Sequence, residues 1–153
     1  MQDVHEDLVA EYLEQQGYFV RQGFRYGPFN KELDLLAVKL EPREVLIACV
    51  TARYEKSKVE SDMDKLKDPE LVSAVTKLVG CEPTDRRVYC WFNRGEKNFR
   101  LTMTERGKEM GIRVFDLHEV LDELKKAHDK PINDPRFPLT TLLGLVPKSG
   151  PGS

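Results

Sequence analysis

Asp34 lies in the apolar run Glu32-Leu33-Asp34-Leu35-Leu36-Ala37-Val38, with leucines on both sides. A carboxylate in an apolar strand is costly unless a metal, a cation or hydrogen bonds compensate it. A second run, Glu44 to Arg53, contains Val45 to Val50 without a single charge. That is how a strand covered on both faces reads. A short charged connection containing Pro42 separates the two, which is a hairpin signal. Alternation puts Glu32, Asp34 and Leu36 on one face of the first strand. On the second strand, Leu46, Ala48 and Val50 share a face, with Ile47, Cys49 and Thr51 opposite. A hairpin that brings Asp34 beside Ala48 and Val50 surrounds the acid with apolar groups where a catalytic site would want charge.

Few other residues offer chemistry. Glu6 follows Asp3 at the spacing of a capping box, which explains it without any catalytic role. His5 falls near the middle of the apolar stripe of the first helix, and no second histidine nearby makes a metal pair. Cys49, Cys81 and Cys90 have neither zinc-site nor disulfide spacing. They read as reduced thiols, with Cys49 and Cys90 as small apolar residues in strands.

Composition sets the frame for these residues. A chain of 153 residues can bury one real core. With 33% charged and 40% hydrophobic residues it has the composition of a soluble globular domain. No apolar run approaches the ~18 residues of a membrane span. The start, Gln2-Asp3-Val4-His5-Glu6, does not read as a signal peptide, so the expected location is cytoplasmic. The formal net charge of -2 is not that of a generic nucleic-acid binder. Binding to nucleic acid would have to use a local basic patch.

The elements that must position Asp34 can be read in order. Asp3 to Gly17 is an amphipathic helix with Val4, Leu8, Val9, Tyr12 and Leu13 at helical spacing. Tyr18 to Tyr26 is a strand, with Phe19, Arg21, Gly23 and Arg25 on one face. After a Gly-Pro turn comes the hairpin. Tyr54 to Lys58 reads as a polar loop and Val59 to Lys67 as a helix. Asp68-Pro69 opens another helix that Gly80 ends. Cys81 to Arg87 reads as a loop, Val88 to Phe92 as a strand with three aromatics, and Asn93 to Asn98 as a charged turn. Thr102 and Glu105 suggest a cap opening a short helix to about Met110. Ile112 to Phe115 is a strand, and Asp116 with Glu119 caps a last helix. The expected body is residues 1–128, followed by a proline-rich tail, 129–153. Leu139, Leu142, Leu143, Leu145 and Val146 in that tail could dock on the body or on a partner, and the final Gly/Pro/Ser residues are linker-like. The first three strands should form an antiparallel meander and the later two, each reached through helix, should add in parallel. The expected fold class is α/β, a mixed sheet with helices on both faces.

Three segments carry a family resemblance. They are His5-Glu6-Asp7-Leu8-Val9-Ala10 with Gly17-Tyr18-Phe19-Val20, then Glu32 to Val38, then Met103-Thr104-Glu105-Arg106-Gly107-Lys108-Glu109-Met110-Gly111-Ile112-Arg113-Val114-Phe115-Asp116-Leu117. In this order the chain resembles the restriction-endonuclease-like superfamily, the PD-(D/E)XK nucleases, and within it the Mrr-type branch, over roughly Asp3 to Leu124. The resemblance implies an αβββαβαβα order. It also implies phosphodiester hydrolysis with Mg²⁺, in which two strand carboxylates hold the ion and a lysine two residues after the second orients the attacking water. It places Glu6 at the helix glutamate and Asp34 at the first strand carboxylate, as catalytic residues and metal ligands. The Glu-x-Lys element then falls on Ala48-Cys49-Val50. Alanine offers a hard cation no oxygen, and valine can neither donate a hydrogen bond nor carry charge. Glu32 could stand in for the carboxylate, and Lys31, Lys39, Lys56 or Lys58 for the amine.

Three functions follow as expectations. One is a nuclease-like domain, impaired in catalysis, that still binds nucleic acid, DNA in the first instance. Its contacts would come from Arg21, Arg25, Arg53, Lys56 and Lys58, with Arg86 and Arg87 nearby. A second is an active Mg²⁺-dependent DNA endonuclease with a relocated lysine or carboxylate. The third is a non-enzymatic scaffold that forms a homodimer or takes a protein partner through its leucine-rich tail.

Overall fold

The computed structural model describes residues 3–52, 55–92 and 97–128. The expectations for Arg53, for most of the 93–98 turn and for the 129–153 tail lie outside the described residues. Ten elements follow one another: α1 Val4–Gln15, β1 Phe19–Tyr26, β2 Lys31–Leu40, β3 Arg43–Thr51, α2 Lys56–Leu66, α3 Pro69–Val79, β4 Asp85–Cys90, α4 Lys97–Met110, β5 Arg113–Asp116 and α5 Leu117–His128. The five strands form one mixed sheet in the order β1-β2-β3-β4-β5. β1, β2 and β3 pair antiparallel, and β4 and β5 join in parallel. Short turns can only reverse a strand, whereas α2–α3 and α4 carry the chain back to start in the same direction.

Each face of the sheet is covered. On one side Leu8, Val9, Ala10 and Leu13 of α1 pack with Leu117, Val120 and Leu124 of α5 against Leu46, Ala48, Val50 and Tyr89. On the other, Val59, Met63 and Leu66 of α2, Leu71 and Val75 of α3 and Met103 of α4 pack against Val45, Ile47, Cys49, Val88 and Cys90. β3 is therefore buried on both faces, which is why its run from Val45 to Val50 carries no charge. No helix among the described residues is long and apolar enough to cross a membrane.

Several local expectations are corrected. Strict alternation fails in the β1–β2 ribbon. Leu33 and Phe24 join the core beneath α2 and α3, whereas Leu35 and Ala37 join the core beneath α1 and α5. Between these pairs Gly23, at φ 67°, faces Asp34 across the ladder, and the ribbon rolls there. Positive φ is a conformation that glycine adopts without steric cost. Asp34 thus sits at a bend rather than in a regular strand. Lys56 and Lys58 belong to the first turn of α2, not to a loop. β4 begins at Asp85, because Asp85, Arg86 and Arg87 pair with Leu46, Ile47 and Ala48. α4 begins by Lys97, so Thr102 does not cap it. The Thr102 and Thr104 hydroxyls instead donate back to the carbonyls of Asn98 and Arg100, a bond that lets threonine sit inside a helix.

Candidate functional site

The carboxyl ends of β3 and β4 and the first turns of α1 and α2 surround one group of ionisable residues. Asp34 is its centre. Its Oδ2 accepts a hydrogen bond from the Val50 backbone N–H at 2.8 Å. The bend at Gly23 turns the β2 carboxylate toward β3, where it takes an N–H that the strand ladder leaves to it. Burial raises the Asp34 pKa, while the Val50 N–H and the Lys65 and Lys58 ammoniums pull it back down.

Glu6 comes from the first turn of α1. Asp3 caps that helix by accepting from the backbone N–H groups of His5 and Glu6. The capping reading of Asp3 therefore holds. The same cap aims Glu6 toward the sheet. Its pKa is pushed up to about 7, first by burial and then by the negative charges of Asp34, Asp3 and Glu32. Glu6 and Asp34 are thus brought within electrostatic reach of each other.

Two participants come from α2 and were not anticipated. Asp62 is only 2% exposed, and its Oδ1 lies 3.5 Å from Lys58 Nζ. Its Oδ2 is buried with no hydrogen-bond partner. Burial and then Asp34 raise the Asp62 pKa, against the pull of Lys58 and Lys65. Lys65 donates to the Glu32 carbonyl at 3.2 Å. The signal for Asp62 was present in the sequence. Val59, Asp62, Met63 and Leu66 follow the i, i+3, i+4, i+7 pattern, so the acid occupies a core-facing position. Lys58 and Lys65 flank it on that helix.

The remaining candidates divide. Glu32 is exposed and lies 4.0 Å from Arg25, so it acts on Glu6 through its charge rather than as a second strand carboxylate. Lys31 pairs with Asp68 and Lys39 lies over the Tyr18 ring, so neither supplies the site's amine. Ala48 and Val50 point into the α1–α5 core, as their faces required. Arg21 and Arg25 do not share a face: Arg21 lies over the Phe24 ring, while Arg25 alternates with Phe24 and Tyr26, which face the α2–α3 core. Arg87 is 8% exposed and bound to Asp85 and the Tyr89 hydroxyl, which removes it from any phosphate-contacting surface. Arg86 donates to the Leu66 carbonyl at the end of α2. Burial pushes the Cys49 thiol well up and the Cys90 thiol to about 12, so neither is a thiolate nucleophile near neutrality.

The donor set does not fit Mg²⁺. That ion demands a near-octahedral shell of hard oxygens. Position 48 offers a methyl group, one Asp34 oxygen is committed to Val50, and Asp62 is paired with Lys58. Among the described residues no group of three or more His, Cys, Asp or Glu side chains is placed to hold a metal ion. What the cluster does hold is its own cations, Lys58 and Lys65, beside its acids. In comparisons with known proteins, the chain matches no family model and no curated protein.

Proposed function

We propose that this domain binds nucleic acid on the face formed by the carboxyl ends of β3 and β4, on a restriction-endonuclease-like scaffold that has lost hydrolysis. One observation carries this reading. Asp34 is held at a bend of β2 by the Val50 N–H, yet the strand beside it presents Ala48 and Val50 where an acid and a lysine would be needed. An acid kept half-buried without the groups that would make it reactive fits a scaffold turned to binding. Lys56, exposed in the first turn of α2, supplies a phosphate contact, and the helix N-terminus adds to it. Such contacts position the backbone of the nucleic acid and carry no sequence information.

Salt-titrated binding to duplex, single-stranded and branched DNA tests the reading. Affinity should fall with salt, and Lys56→Ala should reduce the slope of log K against log[salt] by about one. The same DNAs should survive incubation with Mg²⁺ or Mn²⁺. Salt-insensitive behaviour toward all three DNAs would end the binding claim. Cleavage that disappears in Asp34→Ala would end the claim of lost hydrolysis.

A further inference from the structure

Three large apolar side chains stand exposed at the end of the sheet away from the acid cluster: Phe19 at 69%, Leu40 at 65% and Leu78 at 53%. Their positions are those of core residues. Phe19 pairs with Val38, which pairs with Val45, a member of the core beneath α2 and α3. Leu40 lies two residues beyond Val38 and so faces the same side. Leu78 follows the buried Leu71 and Val75 of α3 at i+7 and i+3, on the stripe that faces the sheet. The Arg43 guanidinium, opposite Leu40 in the ladder, donates to the Val79 carbonyl and ties the hairpin to the last turn of α3. The sheet-facing stripe of α3 and the inner face of the β1–β2 ribbon thus both run on past the point where they cover each other. The result is an apolar notch at the start of β1, the end of β2 and the end of α3.

The course of the chain points to what covers it. α5 follows β5 directly and packs Leu117, Val120 and Leu124 along the opposite face, so it runs back against β3, β4 and β5. It therefore delivers the chain at His128 to the end of the sheet where the notch lies. Residues 129–138 span up to about 33 Å when extended, enough to pass round the end of the sheet. Beyond them, Leu139, Leu142, Leu143 and Val146 recur at i, i+3, i+4 and i+7, with no charge from Leu139 to Val146 and Pro138 and Pro147 on either side. So short a stretch gains helical stability only from a surface that takes its apolar side. The notch is also too small for a separate partner. Its three side chains expose on the order of a few hundred Å², far below the roughly 1,200–2,000 Å² of a stable interface between separate chains. A tethered segment meets it at millimolar effective concentration and needs much less.

We propose that Leu139–Val146 docks in cis on the notch formed by Phe19, Val38, Leu40 and Leu78, its apolar side completing the core beneath α3. This goes beyond the nucleic-acid reading, since the face at the carboxyl ends of β3 and β4 stays open when the notch is filled.

Methyl NMR and amide exchange on the full chain test it. Leu142, Leu143 and Val146 methyls should show nuclear Overhauser contacts to the Phe19 ring and to Leu40 and Leu78. Amides from Leu142 to Val146 should exchange at least about tenfold more slowly than in an unstructured peptide. Phe19→Ser combined with Leu78→Ser should return them to the unstructured rate, and both positions are exposed enough for the fold to stand. Unstructured rates without those contacts in the wild-type chain overturn the proposal. Contacts found only between differently labelled copies in a mixed sample assign the notch to a second copy and overturn it too, as does protection that persists in the double variant. The wild-type contacts read out independently of how the variants fold, and every one of these outcomes leaves the DNA-binding tests untouched.

Discussion

Glu6 is the residue whose surroundings have the most measurable consequence. Its folded pKa of about 7 stands above the ordinary value of 4.5 because it is buried near Asp34, Asp3 and Glu32. Below about pH 4 both folded and unfolded chains hold the proton, and the group is neutral toward stability. Between those values the folded chain holds more proton than the unfolded one, so stability falls as pH rises. Above about pH 7 the loss is complete. Glu6→Gln should therefore leave urea stability at about pH 4 unchanged and raise it at about pH 8 by about 1 kcal/mol. That figure is well under the direct conversion, because solvent screens a carboxyl at a helix entrance. Asp34→Asn keeps an acceptor for Val50 while removing the largest charge acting on Glu6, so the Glu6 resonance should titrate at lower pH by NMR. A wild-type stability that climbs from pH 5 to 8 with no response to Glu6→Gln would contradict the cluster.

At the scale of elements, α4 and β5 approach closely at Gly107. Gly107 lies inside α4, where glycine is a poor helix former. A Cβ there would stand 2.5 Å from the Ile112 carbonyl oxygen and 3.1 Å from Val114 Cγ2. The helix and strand backbones therefore meet at a spot that only glycine permits. Alanine would add about 1 kcal/mol of helix propensity but force an overpacking cost of about 1–3 kcal/mol. Since the obstacle is backbone, the cost should win, and Gly107→Ala should lower the unfolding midpoint. A gain in stability would mean that α4 can move away from β5 freely. The elements themselves were largely legible in the sequence. Asp68-Pro69 at the start of α3 and Gly80 at its end are local chemistry, and the Asp68 carboxylate does accept from the Glu70 N–H. The start of α4 was misplaced for the same reason in reverse. Thr102 looks like a cap in the sequence, and only the continuing turns show its hydroxyl bonding back to Asn98.

For the molecule as a whole, the acid cluster carries its own cations. Lys58 beside Asp62, and both Lys58 and Lys65 acting on Asp34, supply the positive charge that such acids would otherwise draw from a metal. Millimolar Mg²⁺ should therefore leave the melting temperature unchanged. A true site at a hundred times its Kd would add about 2.7 kcal/mol. In a chain of this size that is a rise of about 5–10 °C, easily seen in a thermal scan. A shift of that size, abolished by Asp34→Ala, would refute the charge balance drawn here.

The sequence by itself determined the strands and helices, the meander followed by parallel additions, and the burial of β3 on both faces. Hydrophobic period and turn chemistry are local properties, and they survive in a one-dimensional string. It also singled out Asp34 and Glu6. Only the tertiary structure decided their company. The roll of the ribbon at Gly23 turns Asp34 onto the Val50 N–H, and α2 folds back to bring Lys58, Asp62 and Lys65 to it. The same holds for Trp91, which His5 and His118 meet edge-on from opposite ends of the chain. Contacts between residues far apart in sequence depend on how helices settle on a sheet, and no local pattern encodes that.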